Sequence, residues 1–144
     1  MLIHKTAIVD PKAELAEDVE IGPYTIIGPD VAIGSGTKIH SHVCITGKVE
    51  IGRNNTIHFG SVVGGDPQDL KYKGEESEVK IGDNNTIREY VTVNKGTAFG
   101  GWVTRIGNNN LIMAYAHIAH DCIIKDNIII ANAATMGGHV TIES

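Results

Sequence analysis

An aliphatic side chain returns every six residues along this chain, at Val9, Leu15, Ile21, Ile27, Ile33, Ile39, Ile45, Ile51, Ile57 and Val63. Ten consecutive matches define a repeat rather than an accident of composition. The beat lapses and then resumes in phase at Ile81, Ile87 and Val93, so the intervening chain replaces whole hexads without loss of register. A second lapse shifts the phase by one residue, and the beat continues through Ile106, Ile112, Ile118, Ile124, Ile130, Met136 and Ile142. This makes twenty hexads, the last cut short at Ser144. Two positions before many of these beats stands a small or branched residue, including Ala7, Val19, Thr25, Val31, Val43, Ser61, Val91, Ala116, Cys122 and Val140. Two side chains per hexad therefore share the inward face of a short strand. Gly22, Gly28, Gly34, Gly52, Gly64, Gly82, Gly107 and Gly137 follow the beat directly, and Asn54-Asn55, Asn84-Asn85 and Asn108-Asn109-Asn110 follow soon after. These read as corner residues that tolerate left-handed backbone.

A unit of one strand and one corner must bury its inward face against neighbouring turns, and a parallel β-helix of hexapeptide repeats does so. The pattern resembles the left-handed form, in which three hexads make an 18-residue triangular coil; the hand rests on that resemblance, not on the spacing. The expected fold is all-β, a left-handed parallel β-helix of about seven coils, at about 4.8 Å per layer a prism roughly 30 Å long. Two loops, 67–78 and 97–103, interrupt it, and almost no helix is expected. One domain accounts for residues 1–144, leaving no room for a second. The chain stops within a hexad, which would leave the last coil's backbone groups unpaired, so it reads as the N-terminal portion of a longer solenoid.

Composition narrows the partners. An apolar content of 42% with 20% charged residues suits a packed core and not a disordered chain. Twelve Lys and Arg against 17 Asp and Glu give a net charge of −5, which repels a phosphate backbone and speaks against nucleic acid. Apolar runs such as Ile128 to Ala131 are far too short for a membrane span, and Met1 to Lys5 lacks a signal peptide's apolar stretch. A soluble cytoplasmic protein is expected. Cys44 and Cys122 form no C-x-x-C pair, so neither a disulfide scaffold nor a cysteine zinc site is indicated.

In a solenoid the regular positions hold the fold, and function tends to sit where the repeat breaks. The first break carries Gln68, Asp69 and Lys71, a mixture suited to a polyhydroxylated anionic ligand, with a carboxylate for hydroxyls and a cation for phosphate. The second, Thr97 to Val103, is rich in glycine and holds the one Trp. Both read equally well as solvated insertions. Of the seven histidines, His117, His120 and His139 lie in the last block, and the 19 residues between His120 and His139 are close to one coil. Asp121 beside His120 can fix its tautomer, a pairing suited to general-base chemistry. The bland alternative is a stack of exposed histidines, as expected for His40 and His58. A zinc site like that of the gamma-class carbonic anhydrases, which are His-rich left-handed β-helices, is disfavoured because that resemblance calls for a wider His pair than His117 and His120. Cys122 falls on an inward small position, so packing accounts for it better than nucleophilic chemistry.

The loop Gln68-Asp69-Leu70-Lys71-Tyr72 with Gly74-Glu75, the segment Gly96-Thr97, and His117-Ile118-Ala119-His120-Asp121-Cys122 together resemble the bacterial acyl-carrier-protein:UDP-N-acetylglucosamine O-acyltransferases, which begin lipid A synthesis. The resemblance runs from Ile3 to Ser144. The N-acyltransferase acting later in that pathway is the near alternative, but Asp121 and the immediate start of hexads at Ala7 favour the O-acyltransferase. The resemblance implies transfer of a 3-hydroxyacyl chain from acyl carrier protein to the sugar 3-hydroxyl, without a cofactor, metal or acyl-enzyme. It implies His120 as general base, Asp121 as its orienting partner and the Gly138 N–H as oxyanion donor. Gln68, Asp69, Lys71, His117 and His139 would contact substrate. It further implies a homotrimer with a cleft between prisms, so that the loop residues and His120 can come from different subunits. At Asn94 some relatives carry His. The family's uridine contacts, part of its acyl groove and its helical carrier-docking domain would fall beyond Ser144, and the 144-residue chain alone is expected to be inactive or nearly so.

Overall fold

A computed structural model describes all residues from Met1 to Ser144. Twenty short strands, all parallel to their neighbours, form three sheets that are the three faces of a left-handed β-helix. The first face stacks Leu2–Ile3, Glu20–Ile21, Lys38–Ile39, Thr56–Ile57, Thr86–Ile87, Leu111–Ile112 and Ile129–Ile130. The second stacks Ile8–Val9, Ile26–Ile27, Cys44–Ile45, Val62–Gly65, Thr92–Asn94 and His117–Ile118. The third runs from Glu14–Leu15 through Val31–Ile33, Lys48–Ile51, Glu78–Ile81, Val103–Ile106 and Ile123–Ile124 to Thr141–Ile142. Each strand pairs with one a coil away, so the backbone groups that a lone two-residue strand would leave open are satisfied by the coils on either side.

The beat residues stack on one another down the inside: Ile21, Ile39, Ile57, Ile87 and Ile112 form one column, and all of them are buried. Together with the small residues two positions earlier they make one continuous apolar core of 26 buried side chains. The two lapses in the beat are bulges out of this column. Ile81 pairs with Ile51 and Ile106 with Ile81, so the first insertion lengthens its coil to 30 residues and the second to 25 without breaking the ladder. The only helical turn is Ala98–Gly100, inside the second insertion.

Three details differ from the sequence reading. Leu2–Ile3, read as lead-in, is already a strand of the first face, paired with Glu20–Ile21. The hexad of Met136 forms no strand, and Thr135 makes a single bridge to His117. The third concerns the glycines. Of those that follow the beat only Gly64 has a left-handed backbone. A Cβ on Gly34, Gly52, Gly82 or Gly107 would lie 2.6–2.7 Å from a carbonyl oxygen of the next coil, so close stacking excludes a side chain there. The left-handed turn falls instead three residues after the beat, at Tyr24, Gly36, His42, Asn54, Gly60, Asn84, Tyr90, Asn109, Tyr115, Asp121, Asn127, Ala133 and His139. Asparagine, aspartate and histidine tolerate this conformation, whereas the tyrosines there carry a steric cost and pack against rings of the neighbouring coils.

The three corners differ in content. Between the third and first faces, buried Asn55, Asn85 and Asn110 form a ladder: Asn85 Nδ2 donates to the Gly107 carbonyl at 2.8 Å and to Asn55 Oδ1, while Asn85 Oδ1 accepts from the Asn110 N–H at 3.0 Å. Between the first and second faces, Tyr24, His42, Phe59, Tyr90 and Tyr115 form a column of rings with centroids 5.1–5.3 Å apart. The corner between the second and third faces holds both insertions. No helix of the chain is long and apolar enough to cross a membrane.

Candidate active site

The beats Val63, Val93, Ile118 and Met136 are each three hexads apart, so the chain leaves the same face and turns the same corner after each of them. That places the first insertion, the second insertion, His120-Asp121 and Gly137-Gly138-His139 on four successive coils at one corner. Stacking then brings their side chains into contact.

His120 Nδ1 lies 2.9 Å from Asp121 Oδ2. The carboxylate is wholly buried, and its other partners come from the second insertion: the Thr97 N–H donates to Oδ1 at 2.7 Å and the Thr97 hydroxyl to Oδ2. The Asp121 N–H in turn donates to Thr104 Oγ1 at 2.9 Å. An acceptor so supplied holds the ring of His120 with Nδ1 as donor, which in the neutral ring leaves Nε2 as the acceptor. Nε2 faces Asp69, whose Oδ2 is 3.8 Å away, and the His139 ring stands edge-on to that of His120 at 5.1 Å. Both His120 and Asp69 are nearly buried, with side chains 12% and 14% exposed.

Asp69 is held well below the usual carboxylate range, chiefly by the Lys71 N–H that donates to it at 3.0 Å, with help from the charges of Lys71, His120 and His139 against its partial burial. It presents a fixed anion to His120 Nε2. Gly138 lies against His120: a Cβ there would come within 2.6 Å of Nε2, and its N–H donates to no group of the chain. His117 sits one step away on the second face, its Nδ1 2.7 Å from Thr92 Oγ1. Burial, with the charge of His120 adding to it, pushes His117 below the ordinary histidine value.

The fold thus brings together Asp69, His120, Asp121, Gly138 and His139, with His117 adjacent. Lys71 is exposed and turns its Nζ over the Phe99 ring at 5.5 Å, and Gln68 is exposed without a hydrogen bond. One expectation is corrected. Asp69 of the first insertion reaches His120 within a single chain, because both lie on the same corner; a second subunit is not needed to join them. His40 and His58 stack at 4.6 Å away from this corner, as the bland reading anticipated. Cys122 is buried, its thiol raised by that burial and directed at the Gly137 carbonyl, 3.3 Å away, which fits packing.

Thr97 and Thr104, which fix Asp121, were not singled out as site residues. Counting hexads in threes would have marked Thr97, since it places the second insertion one coil below Asp121. His120, Asp121 and His139 offer ligand atoms within 4.8 Å of one another, a spacing a divalent cation can bridge. Both oxygens of Asp121 are already occupied by Thr97 and His120, so the arrangement suits an oriented histidine better than a metal cage.

The repeat and the left-handed solenoid define a hexapeptide-repeat transferase scaffold: the family described as Bacterial transferase hexapeptide (six repeats) matches residues 30–65 and 104–138. A curated acyl-(acyl-carrier-protein)–UDP-N-acetylglucosamine O-acyltransferase from Thermodesulfovibrio yellowstonii is 57% identical over 141 residues, covering 98% of this chain and 55% of that protein. One of the same name from Herminiimonas arsenicoxydans is 56% identical over 142 residues, covering 99% of this chain and 54% of that protein. A solved LpxA structure from Acinetobacter baumannii superposes with a TM-score of 0.96 at 54% identity, covering 98% of this chain and 55% of that one. By sequence and fold the chain is similar to these proteins, and it spans about half the length of the curated relatives it matches.

Proposed function

We propose that this chain carries the catalytic base of an acyltransferase that moves a 3-hydroxyacyl group from acyl carrier protein to the 3-hydroxyl of UDP-N-acetylglucosamine, the first step of lipid A synthesis. The observation that carries the reading is His120, oriented by buried Asp121 through Nδ1, with Nε2 directed at Asp69 and lying against Gly138. The names of the matching relatives supply the reaction and its substrates.

In this reading His120 Nε2 takes the proton of the sugar hydroxyl as its oxygen attacks the thioester carbon. The Gly138 N–H donates to the oxyanion of the tetrahedral intermediate, a role in which one donor contributes about 3 kcal/mol. The carbon–sulfur bond then breaks, and His120 returns the proton to the departing thiolate. Asp69, Lys71, Gln68, His117 and His139 bind the sugar nucleotide, Asp69 accepting from hydroxyls. No acyl-enzyme forms. The working enzyme is a cytoplasmic homotrimer, and the 144-residue chain by itself turns over little or not at all.

The test is acyl transfer from a 3-hydroxyacyl carrier protein to UDP-N-acetylglucosamine by the full-length protein, with and without His120→Ala. Product from the parent, reduced about a hundredfold or more in the variant, supports the reading. A folded parent that acylates only the 3-amino sugar assigns the chain to N-acyl transfer, and one that acylates neither overturns acyl transfer.

A further inference from the structure

The segment that enters the second insertion touches both halves of the site. Lys95 occupies the same position on its coil as His120 does on the next, two residues after the beat. Its stem reaches down to Gly47, two coils below, where a Cβ would come within 3.0 Å of Lys95 Cδ. The side chain is 14% exposed, and its Nζ is 3.0 Å from Asp66 Oδ1 and 5.7 Å from the centre of the Tyr72 ring. Asp66 and Tyr72 bracket the residues that carry Asp69, and the Tyr72 N–H donates to the Asp69 carbonyl at 2.9 Å. Lys95 therefore grips the first insertion at both ends of the turn that presents Asp69. Two residues on, buried Thr97 holds both oxygens of Asp121, and Asp121 holds His120. Between them Gly96 passes so close to Trp102 that a Cβ would lie 2.7 Å from its carbonyl oxygen, so the segment has no freedom to lengthen or bow.

We propose that Lys95-Gly96-Thr97 is a strut that sets the spacing between Asp69 and the His120–Asp121 pair, with Lys95 the positioning residue for the substrate-binding loop and Thr97 the positioning residue for the base. The proposal rests on the acyl-transfer reading for its kinetic consequences but not for its geometry. A strut of this kind gives its two ends different kinetic signatures. Displacing the loop weakens a contact made to substrate before and during reaction, which raises KM; loosening Asp121 misorients the base, which lowers kcat.

The experiment compares Lys95→Met, Lys95→Arg, Thr97→Val and Thr97→Ser in the full-length protein. Thr97→Val should lower kcat about tenfold or more with KM for UDP-N-acetylglucosamine within about twofold, and Lys95→Met should do the converse. Thr97→Ser and Lys95→Arg, which keep the donors, should recover most of each loss. Parallel changes in kcat and KM that follow the loss of thermal stability would reduce the segment to a structural one and overturn the proposal, as would unchanged kinetics. Two readouts are independent of activity: the downfield proton resonance of His120 Nδ1–H should be lost or broadened in Thr97→Val, and amide exchange across residues 66–77 should quicken in Lys95→Met. An inactive parent in which both changes occur upholds the strut and overturns the acyl-transfer reading; an inactive parent in which neither occurs overturns both.

Discussion

The corner between the third and first faces and the corner between the second and third turn the same kind of chain through the same kind of bend, yet they use polar groups in opposite ways. In the asparagine ladder of Asn55, Asn85 and Asn110 the carboxamides are buried and bonded to the next coil. Nothing is left over for a ligand. At the site corner Asp121 is consumed in the same manner by Thr97, but one step outward His120 Nε2 and the Gly138 N–H are left without a hydrogen-bond partner beside the Asp69 carboxylate. A stable solenoid becomes a reactive one where a buried polar layer supports a second layer that is left unsatisfied.

The sharpest way to break this comparison is to remove the key group at each corner in turn. His120→Ala should cut transfer about a hundredfold or more, a far larger effect than its shift of the urea unfolding midpoint, because the ring lies outside the apolar core and Asp121 keeps both Thr97 donors. Next, Gly138→Ala should reduce turnover severely, since its methyl group must displace the His120 ring; a crystal structure of the variant should show the ring rotated away from Asp121. Asn85→Ala should do the reverse, orphaning the Asn110 N–H and the Gly107 carbonyl at about 1–3 kcal/mol per buried group, measured by denaturant unfolding, while Asn55 Oδ1 keeps the N–H of residue 85. If Asn85→Ala impaired turnover with stability intact, the division of labour between corners would fail.

The aromatic column sharpens the contrast at lower cost. Tyr90→Ala breaks two ring pairs at a partly exposed position and should cost about 0.5–1.5 kcal/mol per pair without altering kinetics. The smallest effect belongs to His117. Its proton is bound more weakly in the folded chain than in the unfolded one, so its contribution to stability is complete above the unfolded value of 6.5 and is lost as pH falls below it. His117→Gln should flatten that part of the stability profile between pH 7 and pH 5, read by thermal unfolding at each pH.

The six-residue beat determined the strands, the inward column and the register across both insertions, because a period held by burial cannot slip without exposing every aliphatic residue in the block. The sequence also marked His120, Asp121 and the polar first insertion as chemistry, since those groups have no place in a repeating core. Its account of the corners was incomplete: it assigned left-handed backbone to glycines that are instead excluded volume against the next coil, and it did not distinguish the buried Asn55, Asn85 and Asn110 from the left-handed Asn54, Asn84 and Asn109 beside them. The tertiary structure alone decided that Asp69 meets His120 within one chain, that Thr97 completes Asp121, and that Lys95 grips the loop. Those contacts join residues 23 to 51 positions apart through the stacking of coils. A periodic pattern fixes which residues face inward, but which outward groups touch depends on how insertions fold back over the coils beside them, and no spacing encodes that path.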